Sequence, residues 1–312
     1  MKNIIIAVLV IIIGGFGGYF IIKSLSRTAS LPLTEDIVKV QEAATSSIAS
    51  QDNEQIKETA VAEQNKEESV IGKSVDGRDI IAYRYGAGDT EILFVGGIHG
   101  GYSWNTELVA YETMDYLKAN PASIPANVKV TVIPVLNPDG LYKVVGKVGR
   151  FTAEDVSSSQ AVQTSGRFNA NKVDLNRNFD CGWQSDAKWQ SATVSGGSSV
   201  FSEPESLAIK NYIETQKPKA AVIWYSAAGG IYSSNCNGSI IPQTGVIANI
   251  YSKASGYPAY ESFDSYETTG DMANWLAKKE IPAISVLLTN HKDTEWTKNK
   301  KGIEALLRYY AK

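Results

Sequence analysis

Strand-like and helix-like segments alternate along this chain from Val70 onward, and the alternation limits the folds that it can adopt. Five short runs are apolar and rich in β-branched residues, as is typical of buried strands. They are Ile80 to Tyr85, Ile92 to Ile98, Val128 to Leu136, Ala221 to Trp224 and Ile284 to Leu288. Helical stretches separate these runs. We therefore predict an α/β fold in which helices cover both faces of a mixed, largely parallel sheet.

The ends of the predicted elements indicate where a site would lie. In sheets of this kind, ligands bind in the loops beyond the carboxyl ends of the strands. His99 and Tyr225 each come directly after a predicted strand, so both are expected at that edge. One helical stretch opens with Ser202 and Glu205 at the spacing of a capping box, with a proline between them that the first turn of a helix tolerates.

The amino-terminal 30 residues are predicted to form a transmembrane anchor. The run from Asn3 to Ile22 has no charged residue, and a helix that rises about 1.5 Å per residue would cross roughly 30 Å of hydrocarbon over this length. A cleaved signal peptide is the alternative, but the run is long for one and no A-x-A-like site follows closely. Lys2 flanks one end, and Lys23 and Arg27 flank the other, so positive charge leaves the orientation undecided.

Residues 31–70 are predicted to form an acidic, flexible stalk. They contain no aromatic residue, and acidic side chains outnumber basic ones nine to three, a composition that does not bury enough apolar surface to fold alone. The remaining residues, 71–312, carry no net charge and are sufficient for one large domain. No basic stripe follows them, so the sequence does not favour nucleic acid as a partner.

The segment 71–312 resembles the carboxypeptidase A-like zinc metallopeptidases, in their bacterial branch. The segments that carry the resemblance occur in the family's order. They are GGIHGGYSWNTE (Gly96 to Glu107), NPDG (Asn137 to Gly140), GRFNANKVDLNRNFDCGW (Gly166 to Trp183), FSEPES (Phe201 to Ser206) and YETTGDMANW (Tyr266 to Trp275). NPDG alone would be an ordinary turn sequence. Together the segments imply a zinc carboxypeptidase-like fold for this part of the chain.

The resemblance also implies a set of substrate-binding residues. Asn176 and Arg177 match the pair that holds the substrate's free carboxylate in the family, and Tyr266 matches the tyrosine that closes over it. Arg167 matches the arginine that polarises the scissile carbonyl. A guanidinium suits this task because it offers a carboxylate two parallel hydrogen bonds. The alternative is that these polar side chains only cap and connect loops.

The metal and catalytic positions of the family are replaced in this chain. The resemblance identifies His99 as the sole remaining zinc ligand, with Ser103 and Tyr225 at the other ligand positions and Leu287 at the position of the catalytic glutamate. A catalytic zinc needs about three protein ligands, and neutral hydroxyl groups are poor substitutes. An improvised site that uses His291 and Asp139 is conceivable, as is a serine hydrolase built from Ser103 and His99, but no motif supports either.

Cys181 and Cys236 are the only cysteines in the chain. Each follows a family segment, and in the family fold these segments lead from neighbouring strand ends, so the resemblance makes a disulfide sterically reasonable. A disulfide persists in oxidising compartments, which favours a domain outside the cytoplasm over one inside it. Two unpaired buried thiols are the alternative.

These observations lead to two functional hypotheses. The first is a single-pass membrane protein whose domain is a pseudopeptidase without a cofactor, which binds the free C-terminus of a peptide or a cell-wall stem peptide. The second is an active metallocarboxypeptidase with an atypical zinc site, which would carry out proteolysis. The metal content of the domain would distinguish them.

Overall fold

The computed structural model describes residues 67–238 and 240–311. The predicted membrane anchor and nearly all of the predicted stalk lie outside these residues. Within them, no helix combines the length and the apolar character that crossing a membrane requires. The first strand begins at Glu68, so the sheet includes the last residues of the segment that was assigned to the stalk.

The described residues form an eight-stranded sheet and a separate two-stranded hairpin. The strands are β1 (Glu68–Lys73), β2 (Asp79–Tyr85), β3 (Thr90–Val95), β4 (Val128–Ile133), β5 (Asp186–Trp189), β6 (Ala192–Ser195), β7 (Ala220–Ser226), β8 (Gly230–Ser233), β9 (Ala259–Tyr260) and β10 (Ala283–Leu288). The five strands predicted from the sequence correspond to β2, β3, β4, β7 and β10. The hairpin consists of β5 and β6.

The large sheet has a parallel centre and mixed edges. Its order is β1-β2-β4-β3-β7-β10-β8-β9. Strands β4, β3, β7 and β10 run parallel to one another, whereas β1, β2 and β8 pair antiparallel with their inner neighbours. The prediction of a mixed, largely parallel sheet is therefore confirmed. Every residue of β7 is buried, because helices cover both faces of the sheet at its centre.

Seven α-helices lie between the strands of the described chain. They are α1 (Trp104–Ala119), α2 (Pro138–Val145), α3 (Gln160–Ser165), α4 (Pro204–Gln216), α5 (Pro242–Ser255), α6 (Met272–Lys278) and α7 (Trp296–Tyr309). Three of them, α2, α4 and α5, begin with proline, which has no backbone N–H to leave unpaired in the first turn.

Two hydrophobic cores occupy the two faces of the sheet. Helices α1, α5 and α7 pack on the face to which Trp224 and Val286 contribute. Helices α4 and α6 pack on the face to which Tyr225 and Leu287 contribute. Adjacent residues of a strand point to opposite faces. Tyr225 and Leu287 therefore lie on the face opposite to Trp224 and Val286, and both belong to the second core.

The predicted capping box at the start of α4 does not form. Glu203, rather than Ser202, is the N-cap residue of this helix. Glu205 accepts hydrogen bonds from the Val75 backbone N–H at 3.1 Å and from the Asn169 side chain at 3.1 Å. The Glu205 carboxylate is therefore hydrogen-bonded to residues distant in the chain, and it does not cap the helix as the local pattern predicted.

Candidate functional site

A cavity of about 320 Å³ opens beyond the carboxyl ends of β7 and β10. Its size is within the range of small-ligand sites. The site residues from the sequence analysis that line it are His99, Arg167, Asn176, Arg177, Tyr225, Tyr266 and Leu287. The structure thus brings together all but Ser103 of the residues that were assigned to binding or to the metal.

His99 lies in the loop that leads from β3 to α1. The loop packs closely against the first turn of α2, where a Cβ atom on Gly100 would approach Gly140 Cα to 2.9 Å. His99 Nε2 lies 3.7 Å from Asp174 Oδ1. Burial, reinforced by the charge of Arg167, holds the pKa of His99 well below its usual value, so the ring is neutral near pH 7.

Tyr225 takes a structural position in the cavity floor. Its side chain is 5% exposed, and its ring centroid lies 5.5 Å from that of His99. The hydroxyl group donates to Asn176 Oδ1 at 3.2 Å. Burial, with the nearby charge of Asp271, raises the pKa of Tyr225 well above its usual value. The phenol is therefore a neutral hydrogen-bond donor, not an anionic metal ligand.

Leu287 lines the cavity beside Tyr225, to which it is paired in register across β10 and β7. Ser103 is buried, at 1% exposure, but it is not part of the cavity lining, and its hydroxyl group has no hydrogen-bond partner among the described residues. The neighbouring Tyr102 lines the cavity instead. The turn from Gly100 to Ser103 is a 3-10 helix, and it presents residue 102 rather than residue 103 to the cavity.

The side chains around His99 do not fit a catalytic zinc. Such a site needs about three nitrogen, sulfur or carboxylate ligands, whereas the other two positions that the resemblance assigns to ligands hold Ser103 and the neutral phenol of Tyr225. Across residues 67–238 and 240–311, no three His, Cys, Asp or Glu side chains are grouped so that they could hold a metal ion. Asp174 is instead committed to Arg167, whose Nε and Nη2 lie 2.9 and 2.8 Å from its carboxylate.

Arg177 is a buried guanidinium in the cavity wall, at 1% exposure. Its Nε donates to the Lys188 carbonyl at 2.9 Å, and its Nη1 donates to the Asn176 carbonyl at 2.7 Å. Within the described chain, no carboxylate oxygen lies within 4.0 Å of it, although the charges of Asp174 and Asp271 act on it from farther away. Because it forms no direct ion pair, this cation is available to an anionic ligand through its Nη2 atom.

Asn176 is held by three hydrogen bonds within the protein. Its Nδ2 donates to Asp271 Oδ2 at 2.7 Å, and its Oδ1 accepts from the Met272 backbone N–H at 3.0 Å as well as from Tyr225. The amide therefore joins the 3-10 turn at Leu175–Arg177 to the start of α6. In this arrangement Asn176 positions Arg177, and the second hydrogen of its Nδ2 can still be donated to a ligand.

Tyr266 stands at the rim of the cavity, in the loop before α6. It is partly exposed, and its ring packs edge-on against Phe263 with centroids 5.0 Å apart. Gly270, at the end of this loop, has φ +64, and a Cβ there would meet the Arg177 carbonyl oxygen at 2.2 Å. Glycine thus allows the tyrosine loop to approach the arginine segment closely.

A disulfide joins the arginine segment to the loop after β8. Cys181 and Cys236 are bonded, with their Cα atoms 6.0 Å apart. The neighbouring Asn235 lines the cavity, and its backbone N–H donates to Asn274 Oδ1 at 2.9 Å. The cross-link therefore connects two segments that line the same cavity.

A hydrogen-bonded group not predicted as a unit lies beside His291. Asn105 Nδ2 donates to the carbonyl groups of Asn290 and Asp293, at 2.7 and 3.0 Å, which fixes the orientation of this amide. Ser226 Oγ lies 2.9 Å from Asn105 Oδ1 and 3.2 Å from His291 Nδ1. The amide oxygen can only accept, so the Ser226 hydroxyl proton is directed to Asn105. This orientation does not favour Ser226 as a nucleophile.

Some residues in or beside the cavity had weak sequence signals or none. Asp174 stands two residues before Asn176 in the matched segment, so it could have been identified as the partner of His99 and Arg167. Tyr102 is adjacent to Ser103 in the first motif. Trp189 lies in the β5–β6 hairpin, which no motif predicted, and only the three-dimensional fold brings it to the cavity.

A search against family models matches residues 57–305 to the family described as zinc carboxypeptidase. Human carboxypeptidase Z is 30% identical over 122 residues, which cover 35% of this chain and 17% of that protein. Murein peptide amidase A of Vibrio campbellii is 28% identical over 138 residues, which cover 41% of this chain and 52% of that protein. The chain thus spans less than two thirds of the length of either relative.

Solved structures show the same fold at low sequence identity. The murein-tripeptide amidase MpaA from Escherichia coli O157 aligns with a TM-score of 0.53 and 20% identity, over 79% of this chain and 95% of that one. Carboxypeptidase A from Helicoverpa armigera aligns with a TM-score of 0.61 and 18% identity, over 78% of this chain and 68% of that one. The carboxypeptidase-like architecture is therefore shown for this chain.

Proposed function

We propose that this chain, which belongs to the zinc carboxypeptidase family, binds the free C-terminal carboxylate of a peptide without cleaving it. The observation that carries the proposal is Arg177, a buried cation in the cavity wall that forms no direct ion pair in the described chain. A ligand carboxylate would satisfy it with a charge-assisted hydrogen bond. Tyr266, at the rim, would add a phenol group to the same ligand.

The groups that occupy the catalytic positions do not support cleavage. The side chain of Leu287 has no group that accepts a proton, so it cannot act as a general base. Tyr225 is a neutral phenol that is used to hold Asn176. His99 and its neighbour Asp174 are what would remain of a metal site, since a carboxylate beside a ligating histidine commonly orients it. That pair is the observation in favour of the second candidate, an active metallocarboxypeptidase with an atypical zinc site.

The names of two matched proteins support a class of ligand. A curated relative is a murein peptide amidase, and a structural neighbour is a murein-tripeptide amidase. We therefore propose peptides with a free C-terminus, including peptidoglycan stem peptides, as ligands of this chain. The Cys181–Cys236 disulfide supports a position outside the cytoplasm. Tethering by the predicted anchor in residues 1–30 stays a prediction, as does the absence of nucleic acid among the partners.

The test compares peptides that differ only at their C-terminus. Peptides with a free carboxylate should bind more tightly than their amidated forms, because only the carboxylate pairs with Arg177. Loss of one charge-assisted hydrogen bond costs roughly 1.5–3 kcal/mol, which is about tenfold to a hundredfold in affinity. Calorimetry would measure this ratio for the wild-type protein and for Arg177→Gln.

The variant should bind the acid and the amide equally, whereas Lys143→Gln, which removes a cation outside the cavity lining, should keep the wild-type ratio. Equal affinity of the wild-type protein for acids and amides across a varied peptide panel would refute the assignment of Arg177. Release of the C-terminal residue during the titration, detected by mass spectrometry, would favour the enzyme instead.

A further inference from the structure

One part of the cavity wall consists of rings. Tyr102, Trp189 and His291 line it together with the guanidinium group of Arg167, and we call these four residues the ring wall. The Tyr102 centroid lies 5.0 Å from that of Trp189 and 4.6 Å from that of His291. Arg167 Cζ lies 4.4 Å from the Trp189 centroid. The four side chains of the ring wall therefore pack against one another.

The ring wall is accessible and nearly neutral. Tyr102, Trp189 and His291 are each half-buried. The positive charge of Arg167 is offset by Asp174. Among the described residues, no group accepts a hydrogen bond from the Trp189 indole N–H. A surface of this kind offers apolar faces and one free donor, which suits a flat or apolar group better than a charged one.

The wall begins next to the carboxylate-binding arginine. The Lys188 carbonyl accepts from Arg177 Nε at 2.9 Å, and Trp189 is the following residue. An extended peptide advances roughly 3.3–3.6 Å per residue. A peptide whose carboxylate pairs with Arg177 therefore brings its preceding residue to the level of Trp189. The cavity, at about 320 Å³, is larger than a single amino-acid residue requires.

We propose that the ring wall is a second subsite, which binds the side chain of the residue before the C-terminal one and prefers an aromatic side chain there. This inference rests on the proposed function, because the carboxylate on Arg177 sets the position of the peptide. The ligand ring packs against Trp189 and Tyr102 in offset or edge-to-face contact. Trp189 thus determines specificity at the penultimate position and takes no part in binding the carboxylate.

The experiment uses acetylated tripeptides with a constant C-terminal alanine and either glycine or phenylalanine before it, each as acid and as amide. Phenylalanine should bind about three- to tenfold more tightly than glycine, as expected for one aromatic contact. Trp189→Leu should abolish this gain and leave the acid-to-amide ratio unchanged, and Trp189→Phe should retain most of it. Tyr142→Ala removes an exposed aromatic side chain outside this cavity, and it should change neither ratio.

Each outcome has a separate meaning. Equal binding of the glycine and phenylalanine acids by the wild-type protein overturns the ring wall, even if the preference for acids persists. An unchanged gain in folded Trp189→Leu also overturns it, because the gain then has another source. Loss of the acid preference would instead contradict the proposed function. If Trp189→Leu does not fold, a penultimate para-nitrophenylalanine must quench the tryptophan fluorescence of the wild-type protein more than the same group placed at the acetyl end, and equal quenching overturns the proposal.

Discussion

Glu107 is a buried carboxyl group in the first turn of α1 with no hydrogen-bond partner on either oxygen within the described chain. It packs against Gly97, where a Cβ atom would approach Glu107 Oε1 to 2.6 Å. Burial raises the pKa of Glu107 well above its usual value. The folded protein therefore holds a proton that the unfolded chain releases at lower pH.

This proton makes the free energy of unfolding depend on pH. Above the unfolded pKa, about 4.3, the unfolded state binds fewer protons than the folded state, so stability falls as the pH rises toward the folded pKa. Glu107→Gln should remove this pH-dependent loss. The variant should therefore gain stability over the wild type at pH 8 compared with pH 4, by about 1.4 kcal/mol for each pH unit between the two pKa values. Urea denaturation at both pH values measures the effect.

Glu261→Gln serves as the control, because Glu261 is exposed and its replacement should change stability little at either pH. A Glu107→Gln variant that is no more stable than the wild type at pH 8 would contradict the account of a protonated buried acid.

Tyr102 and Ser103 differ in whether they line the cavity, and this difference can be tested with an introduced carboxylate. The resemblance places the lost carboxylate ligand at Ser103, but the cavity lining includes Tyr102 and not Ser103. We expect Tyr102→Glu combined with Tyr225→His to bind zinc together with His99, because three ligands then face one space. Ser103→Glu combined with Tyr225→His is the matched variant, and it should bind little zinc because its carboxylate faces away from the cavity.

Elemental analysis after zinc exposure and dialysis measures the metal, and circular dichroism must first show that both variants fold. Zinc in the Ser103→Glu variant alone would support the ligand position that the motif indicates. It would also show that the turn at Gly100–Ser103 can rotate.

At the scale of elements, loops and turns hold the cavity together more than the sheet does. The 3-10 turn at Leu175–Arg177 is connected to α6 through Asn176 and to the hairpin through Arg177, and the segment that follows it is connected to the loop after β8 through the disulfide at Cys181. The turn and its three partners all contribute cavity residues. Perturbing one of these connections should therefore affect binding before it affects the central strands.

The disulfide allows a direct test, because it joins residues separated by 55 positions. Closing a loop of this length restricts the unfolded chain, and reduction should lower the free energy of unfolding by about 2–4 kcal/mol. Urea denaturation with and without reductant measures this difference. The double variant Cys181→Ser, Cys236→Ser should be insensitive to reductant, and identical midpoints for the oxidised and reduced wild-type protein would contradict a stabilising cross-link.

At the scale of the whole molecule, the chain has the family's architecture, and we propose that it lacks the groups for the family's chemistry. Arg177 lines the cavity as the proposed carboxylate-binding residue, whereas Tyr225 and Leu287 stand where the resemblance places a metal ligand and the base. We expect the purified protein, after zinc exposure and dialysis, to contain far less than one zinc per chain, since a catalytic site needs about three ligands. Elemental analysis provides the measurement.

A chelator should accordingly leave both stability and the preference for peptide acids unchanged, because the proposed pseudopeptidase has no metal that stabilises the folded state. One zinc per chain that is lost on His99→Ala would refute the pseudopeptidase and support the second candidate.

The sequence by itself determined the fold class and the positions of the main site residues. Buried strands produce apolar, β-branched runs, and this pattern is local, so β2, β3, β4, β7 and β10 could be predicted. The order of the motifs indicated the family, which the family match then showed.

Only the tertiary structure decided which polar groups remain free to bind. Asn176 and Asp271 are 95 positions apart, and their hydrogen bond fixes the orientation of the Asn176 amide beside Arg177. The direction of Tyr102 depends on a short 3-10 turn, and the place of Trp189 depends on a hairpin outside the main sheet. Local sequence patterns specify helices and strands because neighbouring residues interact within them. The hydrogen-bonding groups that a site leaves unpaired depend instead on contacts between residues that are distant in the chain.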